Sequence, residues 1–358
     1  MTKLQVGVIG AGSISEMHVS SYANNPNVRL VAIADLNEER AKDKAEKFGA
    51  ERVYTDYHEL LADPEIEAVS ICTWNNLHAE MAIAALDAGK HVLVEKPLAR
   101  TVEEALKIQE AVQRSGKTLQ VGFVRRHASN TKLIKQFIDN GDLGEIYYGK
   151  ASILRRLGNP GGWFSDHDRS GGGPVIDLGV HVIDILWYLM GKPKVASVSG
   201  NTYNKLGNRK NIQNLSFYKA ADYDPSKNTV EDLANAIIRF ENGASIMVDV
   251  SFTLHAKKDE SVVKLYGEKG GAELEPEIAL VTEKYDTIIN SLPQVDNLGF
   301  DFIQAFQNEI DHFVESVLNG TETNSPVQDG VEIMKILSAI YESSEKGQEI
   351  NFNSVIVN

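Results

Sequence analysis

A short β-rich run, Leu4-Gln5-Val6-Gly7-Val8-Ile9, breaks into Gly10-Ala11-Gly12-Ser13-Ile14-Ser15 and continues as a helix-like segment through Tyr22. A strand, a glycine turn and a helix in that order restrict the fold more than anything else in the chain, because they predict a βαβ unit. The pattern then recurs. Strands are expected at 28–34, 68–72, 91–94 and 118–121, with helices at 77–88 and 102–114 closed by Gly89 and Gly116. Apolar strands alternating with amphipathic helices imply a doubly wound parallel sheet covered on both faces.

In such a sheet the first glycine makes the turn and the second lets a pyrophosphate approach the backbone. The head of the next helix adds N–H donors and a positive dipole end. Gly10, Gly12, Ser13 and Ile14 are therefore expected to hold a dinucleotide. Ser15 stands where a third glycine is usual and is small enough for close helix packing. Asp35 ends the second strand, 20 residues after Ser15. Its carboxylate suits ribose hydroxyls and would repel a 2′-phosphate, so NAD is expected over NADP. Asp35 also suits the N-cap of the next helix. Ligands bind at the carboxyl ends of parallel strands. Two further groups fall there: Thr73-Trp74-Asn75-Asn76-Leu77-His78, and Glu95-Lys96-Pro97. Lysine favours exposed positions, so Lys96 after an apolar strand stands out.

Beyond Gly122 the grammar changes to an α+β domain with a mostly antiparallel sheet. Strands are expected at 146–154, 195–203, 233–240, 244–254, 261–266 and 272–274, and two amphipathic helices at 300–318 and 327–346 close the chain. The irregular stretches 157–173, 206–228 and 284–298 are long enough to be binding loops or subunit contacts. The division expected is 1–124 for the dinucleotide domain and 125–358 for the second.

Within the second domain, Gly171-Gly172-Gly173-Pro174 opens an apolar segment ended by Gly191. A helix over 174–190 would place Asp177, His181 and Asp184 on one stripe, at i, i+4 and i+7. A carboxylate and an imidazole among hydrocarbon are costly unless satisfied, so the stripe is expected to face a polar cleft; a structural Asp-His pair in the core is the alternative. Arg155, Arg156, Trp163, Asp166 and His167 lie on or beside the preceding loop, where an indole could stack on a sugar ring or simply fill a structural position. His255, at a strand end, is a weaker site residue.

With 42% hydrophobic and 24% charged residues in 358, this is the composition of a globular chain with room for two cores. A net charge of −14 argues against nucleic acid or an anionic membrane as partner. No apolar stretch reads as long enough to span a bilayer. The single cysteine, Cys72, lies in an apolar run and fits a reducing cytoplasm. The histidines show no metal-ligand spacing, so no metal is expected.

The Gly10–Ser15 turn, Thr73/Asn75/His78, Glu95-Lys96-Pro97, Gly122-Phe123 with Arg125-Arg126, and the 171–191 segment resemble, in this order, the Gfo/Idh/MocA family of sugar and inositol oxidoreductases. Trp74 departs from the proline often found there. The resemblance implies an N-terminal Rossmann domain and an NAD-dependent dehydrogenase or reductase acting on a secondary hydroxyl of a sugar, sugar derivative or inositol. It implies that Lys96, Asp177 and His181 are catalytic beside the nicotinamide. Thr73, Asn75, His78, Glu95 and Lys96 would touch the cofactor, and Arg126, Arg155 and Trp163 the substrate. It also implies a homodimer or homotetramer assembled through the second domain's sheet. Alternatives are a glycoside-processing enzyme that retains its NAD, or a non-catalytic sensor of dinucleotide and sugar.

Overall fold

The computed structural model of the chain describes residues 3–216, 219, 224–295 and 299–352. Parts of the stretches 206–228 and 284–298 expected to be binding loops, namely 217–218, 220–223 and 296–298, therefore lie outside the described residues. The chain divides into two compact units, Met1–His127 with Phe302–Met334, and Ala128–Asp301 with Lys335–Asn358. The boundary expected at 124 falls close to the first division. In space the chain returns to the first unit over residues 302–334, which a single boundary at 124 does not express.

The first unit is a parallel sheet of β1 (Leu4–Ile9), β2 (Val28–Ala34), β3 (Arg52–Tyr54), β4 (Ala68–Ile71), β5 (His91–Glu95) and β6 (Leu119–Gly122). Their spatial order is β3-β2-β1-β4-β5-β6. The order reverses between β1 and β4, the crevice where such sheets bind dinucleotides. The short edge strand β3 has no apolar run to announce it. Ile310, Phe313 and Val314 of the helix Phe302–Asn319 complete the core around Val19, Tyr22 and Val6. Ser325 then pairs along β6, its carbonyl accepting from the Val121 amide at 2.9 Å.

The second unit holds a nine-stranded sheet built from β7 (Ile146–Leu154), β8 (Val195–Tyr203), β9 (Leu233–Phe240), β10 (Ser245–Ser251), β11 (Glu260–Gly267), β12 (Gly270–Glu275), β13 (Ala279–Lys284), β14 (Thr287–Ser291) and β15 (Ile350–Asn351). The order is β14-β13-β12-β11-β7-β10-β9-β8-β15. All pairs are antiparallel except β7 with β10. The start of the stretch 284–298, expected to be irregular, is in fact the β13–β14 hairpin. It turns at Tyr285 and Asp286, both at positive φ without a glycine to signal it.

Register places Gly149, Ile246, Ile238 and Val198 on one face of this sheet. A Cβ at Gly149 would meet Leu186 and Met190, and one at Gly200 would meet Ile340, so the segments carrying those side chains pack on that same face. The helical stretch His167–Leu189 is long and apolar enough to cross a membrane, contrary to expectation, yet most of it is buried within the protein as a core helix.

Candidate functional site

In the first unit the glycine turn is shaped by contact and by space. Gly10 sits at φ 97°, and a Cβ there would lie 2.5 Å from the Cys72 carbonyl, so any larger residue is excluded. A Cβ at Gly12 would meet nothing within 4 Å, which leaves its backbone open to a ligand such as a pyrophosphate. Ser13 is exposed and Ile14 part-exposed. Ser15 is buried and closes the turn by donating from Oγ to the Gly12 carbonyl at 2.7 Å. Asp35 is half-buried and accepts from the Ala11 amide at 2.7 Å and the Asn37 amide at 2.8 Å. It therefore ties the end of β2 to the glycine turn. The N-cap of the following helix is Asn37, not Asp35, its side chain accepting from the Arg40 amide.

At the ends of β4 and β5 the expected residues separate into open and buried groups. Lys96 is part-exposed although residues 92–95 and 97–99 around it are buried. Thr73 is part-exposed, its methyl against Gly10, and Asn75 is buried at the first position of the helix Asn75–Asp87. His78 is fully buried and spans two backbone carbonyls, with Nδ1 at 2.7 Å from Pro97 and Nε2 at 3.2 Å from Thr73. Burial pushes its pKa down, against the two carbonyls. His78, expected near the cofactor, laces the β4 and β5 loops together. Glu95 is likewise buried, with one carboxylate oxygen on His18 Nε2 at 2.8 Å and the other accepting from the Lys96 amide at 3.2 Å. It too braces Lys96 from within the framework.

His18 was not singled out in the sequence. It is fully buried, and its Nδ1 lies 3.2 Å from the Ser70 hydroxyl, which in turn meets the Tyr22 hydroxyl at 2.7 Å. Ligand-type atoms of His18, Glu95 and Glu309 lie within 4.8 Å of one another, a juxtaposition no sequence spacing could show. Its only linear signal is a histidine three residues after Ser15. Arg126, expected among the substrate ligands, is buried: its guanidinium pairs with Asp329 at 2.6 Å, binds the Asn324 carbonyl and lies over the Phe123 ring. It secures the returning segment to the first unit.

In the second unit the segment expected as one α-helix over 174–190 is a π-turn, Val175–Gly179, followed by an α-helix, Val180–Leu189. π-turns recur at functional sites because they displace side chains from the regular ladder. From residue 172 to 187 every side chain is buried except Asp177 and His181. Asp184, expected on the same stripe, is 1% exposed and belongs to the interior. The residue missed here is Glu231. Its carboxylate accepts from the Gly173 amide at 2.9 Å, the Val175 amide at 3.0 Å and the Tyr341 hydroxyl at 2.8 Å, at the head of the Asp177/His181 segment.

The preceding loop is an ordered structure. Asn159 Oδ1 accepts from the Gly161 amide and the Ser165 hydroxyl, both at 2.9 Å. Trp163 is part-exposed and stacks on Phe164, centroids 3.9 Å apart. Arg155 donates to the Gly158 carbonyl at 3.0 Å, Arg156 pairs with Asp259 at 2.9 Å, and Asp166 caps the one-turn helix His167–Ser170. His255 is exposed. Lys96 belongs to the first unit and Asp177, His181, Arg155 and Trp163 to the second.

Comparison with known proteins divides the chain once, in sequence order, so that residues 302–334 of the first compact unit fall with the second family region. The NAD-binding Rossmann fold of the Gfo/Idh/MocA oxidoreductases matches residues 4–123, and their C-terminal alpha/beta domain matches residues 135–352. D-glucoside 3-dehydrogenase of Escherichia coli (strain K12) is 32% identical over 353 residues, 97% of each chain. Myo-inositol 2-dehydrogenase of Thermotoga maritima is 28% identical, covering 99% of this chain and 100% of its own. A solved levoglucosan dehydrogenase in complex with NADH and levoglucosan superposes with a TM-score of 0.85 at 26% identity, covering 98% of this chain and 99% of that one. These relatives lend no support to the glycoside-processing or sensor alternatives.

Proposed function

The chain belongs to the Gfo/Idh/MocA oxidoreductase family, and from that premise we propose that it transfers a hydride between NAD and a secondary hydroxyl, or the matching ketone, of a sugar, sugar derivative or inositol. The observation that carries this reading is the pair Asp177 and His181, the part-open residues of an otherwise buried segment. Removing a hydride from a secondary alcohol requires a base for the hydroxyl proton, with a pKa near neutrality. His181 is that base, and Asp177 orients the imidazole or binds a neighbouring hydroxyl. Lys96 offers an ammonium at the nucleotide edge of the first unit, suited to charge developing on an oxygen. Gly10, Gly12, Ser13 and Ile14 would hold the pyrophosphate and Asp35 the ribose, which favours NAD over NADP. Nicotinamide, when bound, carries the hydride.

Relatives named for D-glucosides, levoglucosan and myo-inositol share a polyhydroxylated ring as substrate, which supports the substrate class. Incubation with NAD and methyl glucosides, levoglucosan or myo-inositol should form NADH with at least one of them. No NADH from any member, and no NADH oxidation by the matching ketones, would overturn the reading.

The same reading includes a homodimer or homotetramer in the cytoplasm. The sheet face opposite the packed helical segments carries Tyr148 stacked on Tyr266, with Met247 and Ile237 nearby in register. An apolar face of this kind is commonly covered by a second copy. Light scattering should give multiples of 39.4 kDa, and particles of that mass alone would exclude assembly.

A further inference from the structure

The head of a helical segment leaves backbone donors without partners, and a short side chain just before it normally supplies the acceptor. Here the preceding residues are Gly171, Gly172, Gly173 and Pro174, none of which carries one. The acceptor comes from far along the chain. Glu231 lies two residues before β9, and its two oxygens take the Gly173 and Val175 amides on either side of Pro174, which has no N–H to offer. A third donor, the Tyr341 hydroxyl, comes from the helix Val327–Lys346.

Space records the same fit. A Cβ at Gly173 would fall 2.4 Å from the Glu231 carbonyl, and one at Gly172 would fall 2.0 Å from the Tyr341 hydroxyl. The glycine run is thus a socket shaped by these two residues. Val175 links the socket to the chemistry. Its amide is held by Glu231, and its carbonyl accepts from the Val180 amide across the π-turn that contains Asp177 and ends one residue before Val180 and His181.

We infer that Glu231, supported by Tyr341, is a positioning residue that sets the π-turn and thereby the placement of Asp177 and His181. The inference rests on the reading that those two residues act on substrate. Burial raises the Glu231 carboxyl and the Tyr341 phenol, while the donors to Glu231 oppose its rise. Asp232, the next residue, binds the amides of Lys205, Leu206 and Gly207. Two adjacent carboxylates thus anchor two separate pieces of the unit.

The test uses Glu231→Gln, which keeps shape and one acceptor, Glu231→Ala, and Tyr341→Phe. Four readouts are needed: thermal melting, NADH binding, kcat and KM on the best substrate of the panel, and the His181 Cε1–H resonance in the free protein, assigned with His181→Gln. A displacement of about an ångström can cost up to ~10²-fold in rate. Glu231→Ala should therefore lower kcat about 10- to 100-fold, Glu231→Gln less, and Tyr341→Phe least. NADH binding and substrate KM should be unchanged in the folded variants, and the His181 resonance should move. Wild-type kcat with an unmoved resonance overturns the inference, as does a loss fully accounted for by the unfolded fraction. If the wild-type protein turns over none of the panel, the functional reading fails, and the His181 resonance alone still decides this one.

Discussion

Two short stretches, one in each unit, present an open polar side chain from buried surroundings, and they are held in opposite ways. Lys96 projects from the end of β5 between Glu95 and Pro97, and its supports come from nearby in sequence: Glu95 beside it and His78 at 19 residues from Pro97. Asp177 and His181 project from a segment whose head is held by Glu231, 56 residues from Val175, and by Tyr341 still farther on. The first support is a buried imidazole bridging carbonyls; the second is a buried carboxylate collecting donors. The contrast teaches that the loop of a parallel sheet can brace itself locally, whereas a helix head preceded only by glycines and proline must borrow its acceptor from elsewhere.

The largest effect that would break the comparison is on turnover. His181→Ala should lower kcat by roughly 10²- to 10⁴-fold, the usual contribution of a positioned general base. Lys96→Ala should also lower kcat and, lying at the nucleotide edge, weaken NADH binding, which His181→Ala should leave intact. Wild-type turnover by a folded His181→Ala protein would remove it from the chemistry. A smaller effect separates the two kinds of support. His78→Ala should cost about 1–3 kcal/mol, because buried carbonyls lose their partner. Urea unfolding would measure it, and a cost near zero would mean that His78 does not brace the loops. Next comes cofactor choice. Asp35→Ser should shift the kcat/KM ratio of NAD to NADP by about ten- to a hundredfold toward NADP, since a charge-assisted hydrogen bond of roughly 1.5–3 kcal/mol is at stake. An unchanged ratio would leave Asp35 with only its link to Ala11.

The smallest expected effect is a pH dependence of stability in the first unit. His91 Nδ1 accepts from the Thr118 amide at 3.1 Å, and burial pushes its pKa down to about 4. The native imidazole stays neutral while the unfolded one takes up a proton below about 6.5. Its stabilising contribution is therefore fully present above that pH and is lost as pH falls from there toward 4. Burial lowers His78 too, so it acts in the same direction. Melting curves between pH 7 and 4 should be less steep in pH for His91→Gln, and an identical slope would rule His91 out as a contributor.

The same contrast explains what the sequence showed. Strands β1, β2, β4, β5 and β6 are short and rich in apolar residues, and the glycine turn, Lys96, Asp177 and His181 are marked by local patterns. The hairpin at Tyr285 and Asp286 escaped because its turn reaches positive φ without the glycine that usually signals it. The ion pair of Arg126 was not legible because a linear reading cannot see that Asp329 arrives to form it. Glu231 and His18 were invisible for a related reason: each matters through partners dozens of residues away, and no spacing within its own segment signals that.

The returning segment also dictates an order of events during synthesis. The cofactor-binding unit lacks Ile310, Phe313 and Val314 from its core, and Asp329 beside Arg126, until residues 302–334 have left the ribosome. At about 5–20 residues per second, the interval between residues 127 and 302 is roughly 10–35 s. Throughout it, the nascent N-terminal half presents an unfinished apolar surface and a buried-type arginine without its carboxylate. Chaperone capture during translation should accordingly fall on the half of the chain made first.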